Sequence, residues 1–461
     1  MKKVSWFIAL LCIVILVFGI TACTDETPEE VPDTPQEETT DTQGIPSDRI
    51  HLVFSLWGDP AELVTTQTAL DEYNNMQDKV WVTALQFAQE EYGARLLELA
   101  LADNMPDCGM VDERTTIGWA RNGLLLVYDI YKDAAHKPLD YLAFRDNGET
   151  VAYSVANEVL ALWFNKDMFD EAGIDYPPIT LETAWTWDKF IEVAKKLTLD
   201  ENGLNPGDPG FDKDNIVQYG AYVNQWAWQL EVWALSNGGR WYSEDGESIV
   251  FDDAAIEAMQ RVYDLHLIHN VAPYNEATQD RGFLDSVGAG NVAMCTDGQW
   301  VTGFAATVDI NYGVGVLPYM KEKKNISAGA PAGIFATTKH PAEAADFLKW
   351  YSDGETNFGP IFDGWWMPNN IQWFTDETLV YRWIDEAPMR LRLPAAAYRL
   401  AVKNVALDTN VTKSAGWYYT PNTDQVDKIL IGALIEAING SKTVKQVIEE
   451  VRPSLEAALA G

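Results

Sequence analysis

The sequence predicts an α/β protein of two lobes, on three observations. The chain has 461 residues, and single hydrophobic cores stop growing at roughly 250–300 residues, so more than one domain is expected. Hydrophobic residues make up 47 % of it, which suits a packed core and not a disordered chain. From Ile50 to Tyr351, β-branched and aromatic runs alternate with segments whose apolar residues recur at helical spacing. That alternation builds sheets flanked by helices.

The first residues read as an address. Met1-Lys2-Lys3 is basic, Val4 to Gly19 is apolar and uncharged, and Ile20-Thr21-Ala22-Cys23 follows. This is the pattern of a bacterial export signal. A Cys directly after small residues resembles a lipobox, so residues 1–22 are expected to be removed and Cys23 to carry lipid. The alternative is an uncleaved anchor, but the apolar run is short against the roughly 20 residues a span needs. Residues 23–49 hold nine acids, one base, four Pro and no aromatic after Cys23. They read as an acidic, disordered, self-repelling tether.

The body follows in order. Ile50–Trp57 is a strand that ends in Gly58-Asp59-Pro60, and Ala61–Asn74 is a helix. Lys79–Leu85 alternates as a strand, Glu90–Ala102 is an amphipathic helix, Pro106–Asp112 a short buried strand and Ile117–Asn122 a helix. Val159–Asn165 is a strand and Lys166–Ala172 a helix closed by Gly173. Helices are expected at Trp187–Leu197, Ala227–Ser236 and Asp253–His269, with a loop over Asp200–Asn215. Asn291–Cys295 and Tyr312–Leu317 are strands, Gly329–Thr337 is strand-like, and Pro341–Tyr351 is a helix. Val426–Leu459 is helical with a break at Asn439-Gly440. Ligands in such sheets sit beyond the carboxyl ends of strands, where Trp57 and Asp112 fall.

Charge and composition exclude some partners. Against 33 Lys+Arg stand 69 Asp+Glu, a net charge of −36. Nucleic acid needs clustered cations, and an anionic membrane surface attracts basic segments; neither fits. The 18 Trp outnumber the 17 Phe, an excess that calls for a use. Of four Cys, Cys12 lies in the leader and Cys23 is the lipid site. Cys108 and Cys295 remain, without disulfide or metal spacing, and read as buried thiols. Asp200, Asn202, Asp208, Asp212 and Asp214 crowd one loop, but Gly203 is misplaced for a calcium hand and no closing Glu follows, so a solvated turn is expected. His266 and His269 read as surface residues. No cofactor or metal is expected.

Five ordered segments resemble the extracellular solute-binding proteins of ATP-driven sugar importers, the group around maltose-binding protein. They are the strand ending in Trp57-Gly58-Asp59; Pro106–Asp112 with its following helix; Ala152–Phe169 (AYSVANEVLALWFNKDMF); Gly290–Trp300 (GNVAMCTDGQW); and Gly329–Tyr351. The resemblance spans Ile50 to Tyr351. It implies a periplasmic-binding-protein-like fold: two α/β lobes, hinge crossings and a ligand cleft between the lobes. Lobe 1 would be 50–156 with a return segment 326–351. Lobe 2 would be 157–325 with the C-terminal 352–461. It further implies capture of a sugar or oligosaccharide outside the cell and delivery to ABC transporter permease subunits. The protein would be a monomer, held by its lipid on the outer face of the cytoplasmic membrane, and not an enzyme.

A sugar has an apolar CH face and a rim of hydroxyls, so its site needs aromatic platforms edged by polar groups. Trp57 and Asp59 sit on the first strand-end loop, where the family contacts sugar; the alternative is a packed Trp and a helix-capping Asp. Asp112 and Glu158 match acidic positions of the family, Glu158 at the lobe crossing. Trp300 matches its stacking Trp. Trp226 and Trp228 precede Gly238-Gly239, near which the family places contacts, although core packing also fits; Trp226 and Trp233, seven apart, are expected on one helix face, with Trp228 pointing elsewhere. Trp365 and Trp366 are a pair of which one can face a ligand. Trp417, Tyr418 and Tyr419 form a third aromatic group. Two rival readings stand beside sugar capture. One is the same fold binding a polyamine or peptide. The other is a secreted glycoside hydrolase, which needs two carboxylates flanking the scissile bond. If Glu158 accepts ligand hydroxyls, Glu158→Gln lowers affinity in a calorimetric titration without lowering the melting temperature; unchanged affinity makes it a hinge residue.

Overall fold

The computed structural model describes residues 45–461 except 59, 275–281, 306, 354–358, 387–394 and 413. The leader 1–22, the lipid site Cys23, the tether as far as residue 44, and Asp59 lie outside the described residues.

Two six-stranded sheets organise the rest. The first runs β2 (Val80–Gln86), β1 (Ile50–Leu56), β3 (Cys108–Met110), β13 (Pro331–Ile334), β5 (Glu149–Ser154), β4 (Ala143–Asp146). Strands β2 and β3 pair with β1 in parallel, and β13 is antiparallel to both β3 and β5. In β1, alternate residues Leu52, Phe54 and Leu56 are buried, the period of two that a strand imposes. Helix Pro341–Ser352 lays Phe347 and Tyr351 on Phe54, with ring centroids 5.2 and 4.9 Å away.

The second sheet is centred on β6 (Glu158–Asn165). β10 (Met294–Gly298), β11 (Tyr312–Gly315) and β12 (Asn325–Ala328) pair with β6 antiparallel, while β9 (Tyr222–Val223) runs parallel to β10 and β14 (Val411–Thr412) parallel to β12. β6 is apolar at nearly every position because both faces are covered. Val159, Ala161 and Trp163 enter one core with Trp373, Trp383 and Tyr398. Leu160, Leu162 and Phe164 enter another with helices Ala227–Ser236, Asp253–Leu267, Thr423–Ile438 and Val444–Ala460. The stretch 352–420, unread in the sequence beyond its aromatic groups, thus supplies the layer over Trp163. Cys108 and Cys295 are free, buried thiols.

Sheet-edge detail departs from expectation in three places. Helix Glu113–Arg121 starts four residues before Ile117 because Asp112 caps it, its carboxylate accepting the Arg114 N–H at 2.9 Å. The strand expected at Asn291–Cys295 is Met294–Gly298. The hairpin β4–β5 was not foreseen, although Asn147-Gly148, with φ of 50° and 83°, is the turn pair that two-residue hairpins favour. The 200–215 loop joins the paired strands β7 (Leu199–Asp200) and β8 (Ile216–Gln218) and is a turn wound on Asp200, which is buried and not solvated as expected, because its carboxylate accepts N–H groups of Asn202, Leu204 and Asp212. His266 is no surface residue: it is part-buried, and its Nε2 donates to the Ile438 carbonyl at 2.7 Å.

The chain passes between the sheets at three adjacent places: 154–158, 328–331 and 366–370. Val155 N–H donates to Ala330 O at 2.8 Å. Gly329 lies so close that a Cβ there would sit 2.3 Å from Ala156 O. Asn157 binds the third passage twice: its carbonyl accepts Met367 N–H at 3.1 Å and its Nδ2 donates to Pro368 O at 3.2 Å. Its Oδ1 accepts the Tyr141 hydroxyl at 3.1 Å. Asn157→Ala removes the side-chain bonds and leaves a buried carbonyl unpaired, at a cost of about 1–3 kcal/mol. Urea unfolding should show that loss.

Candidate functional site

Three of the foreseen tryptophans come together where the strand-end rule puts them. β9 and β10 are parallel, with Val223 opposite Thr296. Beyond β9, Asn224 donates its N–H to Thr296 Oγ1 at 3.2 Å and accepts the Trp226 N–H on Oδ1 at 3.2 Å. Trp226 is the N-cap of helix Ala227–Ser236. Its ring lies 6.2 Å from Trp228 and 5.9 Å from Trp300, and Trp228 lies 6.1 Å from Trp300. A fourth ring, Trp417 on helix Ala415–Tyr419, stands 5.5 Å from Trp228. Because the helix starts after Trp226, the heptad spacing to Trp233 does not govern it. Trp233 is buried against Trp187 at 4.8 Å instead.

The Asp-Gly-x-Trp unit explains itself in this setting. Asp297 accepts N–H bonds from Phe283 at 2.7 Å and Gly298 at 2.8 Å, so its carboxylate holds the strand end. A Cβ on Gly298 would fall 2.0 Å from the Trp300 ring; only glycine lets the indole lie there. Trp226, Trp228 and Trp300 are all part-exposed, as platforms should be. Well-placed ring pairs contribute about 0.5–1.5 kcal/mol each beyond area burial.

The other foreseen residues have other settings. Trp57 is part-buried, edge-on to Tyr92 at 4.9 Å. Glu158 opens β6 opposite Ala328, at the first two passages between sheets. Trp365 and Trp366 are 8 % and 4 % exposed. Trp365 packs edge-on to Phe304 at 5.0 Å and over Gly303, and Trp366 packs on Tyr351 at 5.7 Å. Both are wall, neither a free platform. Their loop is held by Gly364 O, which accepts from Gln299 Nε2 at 3.1 Å and from Thr302 Oγ1.

Asp112 stands among a set of charges that sequence reading missed. Arg114 grips Asp112 with Nε at 2.8 Å and Nη2 at 2.6 Å. Glu113 and Asp427 of helix Thr423–Ile438 act on Arg114, and Glu231 of helix Ala227–Ser236 lies next to Asp427. Glu113 accepts the Gly329 N–H at 3.3 Å. Glu231 is three residues from Trp228, hence on the same helix face, and bonds Ser414, three residues before Trp417. Burial pushes Glu231 and Glu113 up to about 8, with Asp427 adding to the first and Asp112 to the second. Burial pushes Asp427 up to about 7 against the pull of Arg114. No spacing in the sequence marks Glu231 or Asp427; only their apolar helix faces, odd places for acids, gave a signal.

Both sheets with their helices, the passages between them, and a cluster of aromatics and acids at the strand ends define a two-lobed solute-binding architecture. The chain belongs to the bacterial extracellular solute-binding proteins, whose family model matches residues 64–355. An ABC substrate-binding protein of Listeria monocytogenes, in complex with cycloalternan, shares the fold with a TM-score of 0.75 at 18 % identity, over 90 % of this chain and all of that one. The maltose/maltodextrin-binding domain of Bdellovibrio bacteriovorus, bound to maltotriose, gives 0.68 at 16 % identity over 90 % of this chain and all of that one. An arabinooligosaccharide-binding protein of Halalkalibacterium halodurans is 26 % identical over 198 residues, 41 % of this chain and 40 % of that protein. This chain therefore matches less than half the length of that relative. The family and these neighbours are binding proteins. Among the described residues no helix is long and apolar enough to cross a membrane.

The raised acids set a pH dependence. Folded Glu231 holds its proton to about 8, whereas unfolded Glu loses it near 4.3. The penalty is absent below the unfolded value, grows by about 1.4 kcal/mol per pH unit, and is complete above the folded one. Glu231→Gln keeps the shape without the charge. Its melting temperature should exceed the parent's at pH above the folded value, with the gain vanishing at acid pH.

Proposed function

We propose that this protein captures a sugar or oligosaccharide outside the cell and delivers it to the permease subunits of an ABC transporter. The observation that carries this reading is the ring cluster of Trp226, Trp228, Trp300 and Trp417 beyond β9 and β10. Indole faces match the CH faces of sugars, and the neighbouring carboxyls match hydroxyls. The ligands named for the similar proteins support it.

The action is closure. The lobes are 50–156 with a return segment from Gly329 to 351, and 157–328 with 352–461; the return starts later than expected because β12 pairs with β6. Trp57 and Asp112 belong to the first wall; Trp226, Trp228 and Trp300 to the second; Glu158 lies between. Ligand that touches both walls stabilises the closed form only by the contacts the open form lacks. The protein carries out no bond chemistry. Lipid on Cys23 and the acidic tether keep a monomeric body near its permease on the outer face of the cytoplasmic membrane.

Tryptophan fluorescence of residues 50–461, titrated with oligosaccharides and with peptides and polyamines as controls, tests this. One glycan should give a saturable change with no cleaved product in the same sample. Saturation by polyamine or peptide alone overturns the substrate class, and cleaved sugar makes the protein a hydrolase. Trp300→Ala should weaken that binding at least tenfold while the melting temperature moves little. An earlier melt with unchanged affinity would make Trp300 core.

A further inference from the structure

The carboxyl groups beneath the tryptophans exceed what hydroxyl binding needs. Asp112, Glu113 and Asp427 share one cation, Arg114, which gives Nε and Nη2 to Asp112, and Glu231 lies next to Asp427. Among the described residues no Lys or Arg forms an ion pair with Glu231 or Asp427, which are 4 % and 7 % exposed. Buried charge without a partner is costly. Such a group either stays protonated or awaits a cation.

An independent feature favours the cation. The Tyr242 side chain is 3 % exposed and its hydroxyl has no hydrogen-bond partner. Burial first, and then the charges of Asp427 and Glu231, oppose its ionisation, so both acids lie in its neighbourhood. Its ring lies under Gly416, where a Cβ would be 2.8 Å from Cε2, so it sits directly beneath the helix of Trp417. Trp228, Glu231 and Tyr242 all meet the segment 414–417: Trp228 stands against Trp417, Glu231 bonds Ser414, and Tyr242 lies under Gly416, whose carbonyl also accepts from Thr423, one helical turn before Asp427. Two carboxylates and a phenol oxygen offer three acceptors, and an ammonium carries three donors. The neighbouring indoles supply the π face that cations prefer.

We propose that Glu231, Asp427 and the Tyr242 hydroxyl form a subsite for a protonated amine on the ligand, so that the captured glycan is an amino sugar. This rests on the sugar-binding reading above and narrows it. The groups facing the subsite are Asp112, Glu113 and Arg114 from helix Glu113–Arg121, Asp424 from helix Thr423–Ile438, and Glu231, Asp427 and Tyr242 themselves. Apart from Arg114 they are acids or neutral hydroxyls. An entering ammonium restores the ionised carboxylates, so its binding releases protons.

The test compares glucosamine trimer, N-acetylglucosamine trimer, maltotriose and spermidine by titration calorimetry on the wild type, at mildly acid pH and in buffers of different ionisation enthalpy. The glucosamine trimer should bind at least tenfold tighter than either neutral trimer, about 1.4 kcal/mol, and release protons. In Glu231→Gln and Asp427→Asn, checked for folding by thermal melts, that preference should fall below about threefold. A neutral trimer binding as tightly, or no binding by glucosamine trimer, overturns the amine subsite; the first leaves the sugar reading intact. Spermidine binding with no sugar binding overturns both.

Discussion

Everything here turns on a small knot of hydrogen bonds around Asn157. Three stretches of chain, distant in sequence, meet there and are tied by backbone and amide bonds. Ser154 O accepts Asn369 Nδ2 at 2.6 Å, Tyr141 also reaches Ala406 O at 2.9 Å, and Gly329 is pressed on Ala156. The knot ties the two sheets where three passages of chain lie side by side, the place a hinge between them would occupy. Glu158 stands one residue past it and Glu113 reaches its second strand, so wall and hinge are chemically continuous.

Stacking and charge divide the work at the site. The tryptophans offer broad, rigid, sequence-tolerant surface, held by strand ends and one glycine. Buried carboxyls discriminate, because leaving one without the right partner costs the desolvation of the group. That cost is visible in the molecule as raised proton affinity at Glu231, Glu113 and Asp427. Stability is given up at neutral pH to keep these acids where they are, the usual sign of a site and not of a core.

Latches outside the tryptophans also join the two halves. Tyr418 stacks on Phe144 of β4 at 4.1 Å, the Tyr419 carbonyl accepts from Arg121 at 3.3 Å, and a Cβ on Gly118 would lie 2.4 Å from Pro421 O. Thr65 and Asp363 tie helix Pro60–Met76 to the Trp365 loop at 2.5 Å on another part of the chain.

The sequence by itself determined the alternation of strand and helix, the strand-end positions of Trp57, Asp112 and Trp300, and the family. These depend on local periodicity and on short motifs whose chemistry is carried by adjacent residues, such as Gly298 beneath Trp300. Tertiary structure decided the rest. Trp226 left the helix face assigned to it because its helix begins one residue later, a boundary set by Asn224 and not by apolar spacing. Trp365 and Trp366 became wall because Gly303 and Tyr351 happened to be opposite. Trp417, Glu231, Asp427 and Tyr242 met only in space, from segments up to 196 residues apart, Glu231 to Asp427. Burial and the sign of neighbouring charge are properties of that meeting, and no one-dimensional pattern encodes them.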